Sequence, residues 1–347
     1  MLYHFGKSHL SKFTNAKNSL CLNSILGDSI QHANLAVNSF ATKWENSIFD
    51  IFSSSEGHEG KNLLVFAGLN RSGQLGKPSS ENYGVHVMQR DSSIKSFGLG
   101  RNFSYLLFSD AEENDSISVF GKAFNSTIPN LVEKDSYLVP GMDHLLCLNS
   151  LGLKCFGWNS DGQLGSSDES CFSNFIPDLN SKIVKKIDTF MDFSYVLLKN
   201  GSVYSFGNSE YGQCGTGGKF FKISTPEKVR LDHEIIDIAC GSVFGAFLSK
   251  DNDLYVCGYG PFYPSGQESS IPVKIETGFK IKRLWAGDCH LILESFQNEL
   301  FGLGMNDCGQ LIPDQDSFVK IPRKIGLSSE KLQQIQCGFK HTLMSFK

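Results

Sequence analysis

The sequence lacks most of what would mark a catalytic, membrane-bound or nucleic-acid-binding chain. No apolar run among its 347 residues approaches the roughly 20 that a membrane-crossing helix needs, and no secretory signal opens it, so no membrane association is expected. Lys and Arg number 32 against 36 Asp and Glu, a net charge of -4 with no basic tail. Direct binding to nucleic acid rests on a concentrated basic surface and is disfavoured. The ten cysteines include no C-x-x-C pair, which argues against a zinc site and against a disulfide framework. Cys240, Cys257 and Cys337 stand at apolar strand positions and are expected as reduced core residues. A cytosolic or nuclear compartment follows.

Catalytic motifs are imitated and not completed. GTGGK (Gly215 to Lys219) suggests a phosphate loop, but Phe220 stands where Ser or Thr is required. GLGRNF (Gly98 to Phe103) lacks the third glycine of a dinucleotide fingerprint, and GSVFG (Gly241 to Gly245) has its serine misplaced for a nucleophile elbow. His144, His290 and His341 recur at equivalent turns and are expected to be structural hydrogen-bonding residues. With no acid, base and nucleophile assembled, neither an enzyme nor a cofactor is expected. Helical periodicity is absent from every long segment, so the chain reads as all-β.

What the sequence does contain is one motif written several times. FGWNSDGQLG (Phe156 to Gly165) has relatives in VFAGLNRSGQLG (Val65 to Gly76), YSFGNSEYGQCG (Tyr204 to Gly215) and LFGLGMNDCGQL (Leu300 to Leu311), with fainter echoes around Gly6, Gly121 and Gly258. The glycine after the apolar pair gives seven anchors, Gly6, Gly68, Gly121, Gly157, Gly207, Gly258 and Gly304. Upstream of the anchors runs a second pattern, clearest in IIDIACGSVFGAFL (Ile235 to Leu248), IKRLWAGDCHLIL (Ile281 to Leu293) and LQQIQCGFKHTLM (Leu332 to Met344). Short segments rich in Val, Ile, Phe and Tyr and bounded by Gly, Asn and Ser are strands. Each unit therefore reads as a strand, a glycine turn, a second strand, a hairpin tip such as Lys199 to Ser202, a third strand and a glycine loop.

The final unit supplies only its first strands, at Leu332 to Phe346, while LYHFGKS (Leu2 to Ser8) opens the chain with a third strand and an anchor. Pairing the two completes the last unit and leaves no open edge between blades. The expected fold is a seven-bladed β-propeller filling residues 1–347 as a single monomeric domain, with residues 1–8 completing the last blade.

These motifs resemble the regulator-of-chromosome-condensation repeat family, whose unit carries a G-x-N-x-x-G-Q-L-G loop and an upstream C-G-x-x-H-T turn. The loop matches at Gly68 to Gly76, Gly157 to Gly165, Gly304 to Leu311 and partly at Gly207 to Gly215. The turn matches at Cys337 to Thr342 and partly at Cys240 to Phe244 and Gly287 to His290. The unit at Gly121 has no G-Q-L-G, and Asn46, Phe103, Phe193 and Phe244 replace the turn His in four units. The resemblance implies a glutamine that bonds backbone carbonyls of the next loop.

It also implies a non-catalytic protein-binding role. Among short acidic members, the fungal killer-toxin-insensitivity or α-tubulin-suppressor propellers bind a small zinc protein serving diphthamide synthesis and Elongator-dependent tRNA wobble-uridine modification. Other members are guanine nucleotide exchange factors for the small GTPase Ran, using a basic tail and a β-wedge that are not found here. A chromatin or spindle cofactor is a further alternative.

Residues just after the anchors begin loops on one side of the fold: Lys7, Leu69, Lys122, Trp158, Asn208, Tyr259 and Met305. Leu69, Trp158, Tyr259 and Met305 are large and apolar, and GPFYPSG (Gly260 to Gly266) adds Phe262 and Tyr263. These six are the candidate partner-binding residues, because aromatic and Met side chains are enriched where partners bury them. Two longer tips, Ser53 to Gly60 and the acidic Ser109 to Ser116, are expected as solvated loops. The first 27 residues lack acids and carry Lys7, Lys12 and Lys17, which faintly resembles a mitochondrial presequence. Arg is absent there, and cleavage would remove the strand at Leu2 to Phe5.

Overall fold

A computed structural model describes residues 1–6, 34–54, 61–76, 82–90, 94–109, 115–122, 132–167, 176, 178–218, 220–260, 262–263, 268–311 and 316–347. Lys7, most of the two long hairpin tips, Lys219 and the greater part of the lysine-bearing N-terminal stretch lie outside them. The regular structure of the described residues is 25 β-strands in seven antiparallel sheets, the arrangement of a seven-bladed β-propeller.

The strands fall into two compact units. In the first, β2 (Asn34–Lys43), β3 (Asn46–Ser54), β4 (Lys61–Leu69) and β5 (Tyr83–Gln89) form one sheet. A second contains β6 (Ile94–Leu99), β7 (Phe103–Ser109) and β8 (Asp115–Gly121). The third joins the two ends of the chain: β24 (Leu332–Cys337) pairs with β25 (His341–Phe346), and β25 pairs with β1 (Leu2–Gly6), with Leu2 opposite Ser345 and Gly6 opposite His341. The predicted completion of the last blade is thus formed strand by strand.

The second unit holds four sheets. They are β9 (Tyr137–Pro140) with β10 (His144–Leu148) and β11 (Leu153–Gly157), then β12 (Val184–Thr189) to β15 (Lys222–Lys228) through β13 (Phe193–Leu198) and β14 (Val203–Asn208). Next come β16 (Ile235–Cys240), β17 (Phe244–Ser249), β18 (Leu254–Gly258) and β19 (Ser269–Ile275), and finally β20 (Ile281–Ala286), β21 (His290–Ser295), β22 (Glu299–Met305) and β23 (Phe318–Ser328).

Four of these sheets have a fourth, outer strand (β5, β15, β19 and β23) beyond the three-strand unit read from the sequence. Those strands bond on one side only and face solvent on the other, so β15 (KISTPEK) and β23 (FVKIPRKIGLS) are mostly exposed. β15 carries one large apolar residue, Ile223, to announce it.

The core lies between neighbouring sheets. Leu248, Leu254 and Val256 pack with Ile281, Leu291 and Leu303 of the next sheet, while Leu2 and Leu343 pack with Phe49 and Val65. Within each unit, neighbouring blades therefore bury apolar faces against one another, the nearest-neighbour logic of a repeat protein. Cys240, Cys257 and Cys337 are buried among these strands. Burial pushes the thiols of Cys214 and Cys257 up to about 12.

Candidate docking surface

The glycine loop has one hydrogen-bonding plan in every intact copy. Its Asn side-chain oxygen accepts the backbone N–H five residues on: Leu75 to Asn70 at 3.1 Å, Leu164 to Asn159 at 3.0 Å and Leu311 to Asn306 at 3.0 Å. The Gln oxygen accepts the N–H two residues back: Ser72 to Gln74, Asp161 to Gln163, Tyr211 to Gln213 and Cys308 to Gln310, all at 2.8 to 2.9 Å. The side chain therefore braces its own loop, which corrects the expectation that it bonds carbonyls of the next one. The residue after Gln (Leu75, Leu164, Cys214, Leu311) is fully buried and pins the loop to the core.

The anchors need glycine. Gly207 has φ +109, and a Cβ there would stand 2.3 Å from the Asp192 carbonyl oxygen and 2.5 Å from Phe193 Cα. Immediately afterwards the chain is tied back to the turn before the second strand. Trp158 N donates to Asp143 O at 3.1 Å, Asn208 N to Asp192 O at 2.8 Å, Tyr259 N to Val243 O at 2.8 Å and Met305 N to Cys289 O at 2.8 Å. The four blades of the second unit thus present the residue after the anchor in one register.

The upstream turn is equally uniform. Gly100, Gly141, Gly241, Gly287 and Gly338 donate N–H to the carbonyls of Phe103, His144, Phe244, His290 and His341 at 2.8 to 2.9 Å, so His and Phe are interchangeable at the backbone level. The histidines reach the neighbouring blade: His144 Nε2 lies 3.1 Å from Thr189 Oγ1, and His341 Nε2 lies 2.6 Å from Thr42 Oγ1. Both threonine hydroxyls also lie within donating distance of carbonyls, Thr189 of Phe193 and Thr42 of Asn46, so a proton on Nε2 would satisfy each pair. Burial pushes the imidazoles of His290 and His4 down to about 3 and about 4, leaving both neutral. This is blade-joining chemistry, as the sequence suggests.

What the loops display differs among the six candidates. Trp158 is 59% exposed and Tyr259 49% exposed, whereas Leu69 and Met305 are half-buried. Phe262 and Tyr263 are core residues at 3% and 7% exposure, which corrects their assignment to the surface. The Phe262 ring packs 4.5 Å from that of Phe244, and the Tyr263 hydroxyl donates to Val256 O at 3.2 Å. In this blade, which lacks G-Q-L-G, they fill space the loop leucine takes elsewhere.

The structure adds aromatic residues that the anchor register does not reach. Tyr211 packs 5.7 Å from Tyr259. Phe221, whose carbonyl accepts from Ser209 N at 2.8 Å, is exposed, and so is Phe318 directly across from Met305. The paired Phe220 and Phe221 in an otherwise polar loop were the available signal. Between these rings the loop positions after Asn are acidic, with Asp161 half-buried and Glu210 and Asp307 exposed. Within the second unit this is a rim of aromatic side chains interleaved with carboxylates. Among the described residues no cluster of three or more His, Cys, Asp or Glu could hold a metal.

Loops and turns of this kind resemble those of the RCC1 repeat, and one stretch of the chain matches it. Residues 200–248, from the tip before β14 to the end of β17, match the family model of the regulator of chromosome condensation (RCC1) repeat. Among curated proteins, human probable E3 ubiquitin-protein ligase HERC6 is 31% identical over 218 residues, 57% of this chain and 21% of its own length. The mouse RCC1-like G exchanging factor-like protein is 27% identical over 222 residues, 59% of this chain and 48% of its own. The chain thus matches about half or less of the length of these relatives.

Among solved structures, human WBSCR16 superposes with a TM-score of 0.76 at 19% identity, covering 100% of this chain and 99% of its own. Prp20p of Saccharomyces cerevisiae gives 0.72 at 19%, covering 99% and 90%. Both likenesses are of fold.

Proposed function

We propose that this chain is a regulatory propeller that performs no covalent chemistry and docks a protein partner on the rim bearing Trp158, Tyr211 and Tyr259, loosening the nucleotide of a Ran-like small GTPase bound there. The observation that carries the reading is the alternation of exposed rings with Asp161, Glu210 and Asp307. Such a surface suits a partner face rich in Lys and Arg, which carboxylates steer and aromatic faces hold by cation–π contact. Support comes from the mouse relative named as an exchange factor and from Prp20p, whose structure was described together with its binding to Gsp1p and histones.

The second reading is an adaptor that holds a small zinc protein of the diphthamide and Elongator pathways. The worn repeats and the net charge of -4 favour it, and it would use the same rim. Affinity purification from the native cell, with the W158S/Y259S double variant alongside, tests the docking face. Nucleotide-release kinetics on a recovered GTPase separate the readings, because an exchange factor accelerates release at substoichiometric amounts and an adaptor does not. Retention of every partner by the double variant would remove the rim from the proposal.

A further inference from the structure

The rim is one end of the second unit's strands; the other end has a different chemistry. β14 and β15 pair Asn208 with Lys222 at the rim and Tyr204 with Lys228 at the opposite end. There, along one wall, Lys228, Val229 and Leu231 to His233 line both of two adjoining clefts, and Arg230 lines the larger. The larger, of about 640 Å3, is closed on its far side by Tyr255, Ile271 and Pro272 of the next sheet. The smaller, of about 280 Å3, reaches the hairpin tip at Asn200 and Gly201.

Lys228 and Arg230 are exposed in this wall, and neither makes an ion pair with a described residue. The backbone of Arg230 is held in place. Gly217, at φ +82, lies beneath its side chain, and a Cβ there would stand 2.7 Å from Arg230 Cδ and 2.9 Å from Cζ. Arg230 N donates to Gly215 O at 2.9 Å and Gly217 N to Ser270 O at 2.8 Å, which fixes the loop against both the wall and β19. The His233 and Tyr255 rings meet at 4.8 Å, and Ile271 is exposed beside them on the outer strand. Of the two acids in the wall, Glu234 is held by Lys250 at 2.7 Å, which leaves Asp232 against two cations. The larger cleft thus carries one surplus positive charge in a chain whose net charge is -4.

We propose that this cleft binds an acidic, extended segment of a protein partner, with carboxylates on Arg230 and Lys228 and an apolar side chain against Tyr255, His233 and Ile271. The larger cleft lies in the volume range of ligand sites, roughly 300 to 1,000 Å3. Its continuation past Lys228 toward Asn200 suits a chain over a compact anion. A guanidinium lying over Gly217 can present its fork of donors to a carboxylate bidentately. The site is independent of the rim and separates two partners of opposite charge on opposite ends of the same strands.

The test is fluorescence anisotropy of the full chain with a fluorescein-labelled peptide repeating Glu-Leu-Asp, beside its Lys-Leu-Lys counterpart. Binding of the acidic peptide alone is expected, weakened about tenfold or more by K228E/R230E, the loss of one or two charge-assisted contacts. Gly217→Ala changes no charge but displaces Arg230, and should weaken binding several-fold, while W158S/Y259S should leave it unchanged. Near-UV circular dichroism establishes that each variant is folded. No binding of the acidic peptide, equal binding of the basic one, indifference to K228E/R230E, or complete displacement by inorganic phosphate at matched charge would each overturn the proposal.

Discussion

Buried neutral histidines make the fold sensitive to acid by an amount that can be worked out. His290 is fully buried and His4 nearly so, and burial pushes their pKa values from 6.5 to about 3 and about 4. The unfolded chain takes up both protons near pH 6.5, whereas the folded chain refuses them until far lower pH. The stabilisation is therefore complete above pH 6.5 and is lost as pH falls, down to about 4 for His4 and about 3 for His290. Each imidazole contributes about 1.4 kcal/mol per pH unit in that window. From pH 6.5 to 5 the two together cost about 4 kcal/mol, a large share of the 5 to 15 kcal/mol typical of a folded protein.

The variant that isolates one of them is His290→Phe, since Phe244 occupies the same turn position with the same 2.9 Å backbone bond. Urea unfolding between pH 7.5 and 5, followed by tryptophan fluorescence, should show the stability difference between variant and parent moving by about 2 kcal/mol in favour of the variant as pH drops. Other titrating groups are common to both chains and cancel, and any hydrogen bond lost with the imidazole appears as a pH-independent offset. A difference that stays flat across the range would refute the reasoning.

Two further outcomes follow from features of the loops and core. Gly207→Ala should cost about 3 kcal/mol or more, from a positive φ combined with a Cβ driven onto the Asp192 carbonyl, whereas Gly278→Ala, at φ +80 with nothing within 4 Å, should cost about 1 kcal/mol. Equal losses in chemical unfolding would dismiss the close-approach argument. Cys214 and Cys257, buried and pushed up to about 12, should resist a thiol reagent at pH 8 until the chain unfolds, as peptide mapping of modified cysteines would show; rapid native labelling of either would contradict their burial.

The parts of the fold that were legible in the sequence are those where geometry leaves little choice of residue. Gly68, Gly157, Gly207 and Gly304 stand at positive φ, so each anchor survives where neighbouring positions have drifted, and the unit boundaries can be counted. Leu2 to Phe5 was recognisable as a displaced third strand because it carries the apolar pair and the anchor glycine. The outer strands were not legible. β15, β19 and β23 each contain a proline, Pro226, Pro272 and Pro322, which suggests a loop but is tolerated in a strand whose outer edge makes no hydrogen bonds. The rim was legible in part. Trp158 and Tyr259 followed from register, while Phe262 and Tyr263 misled because an irregular, proline-flanked segment hides the fact that it replaces a buried leucine. Tyr211 and Phe318 reach the rim through the loop and the outer strand, which the anchor register does not follow.

The sheet that joins β24, β25 and β1 sets an order of events in the cell. The segment from Leu2 to Gly6 leaves the ribosome well ahead of its partner from His341 to Phe346. At about 5 to 20 residues per second the wait between them is roughly 20 to 70 seconds. Throughout synthesis the apolar residues Leu2 and Phe5 have no strand beside them, and the Phe40–Phe49 core on which Leu2 packs stands uncovered. The newborn chain thus carries an unmatched apolar strand until the strands that close its sheet emerge.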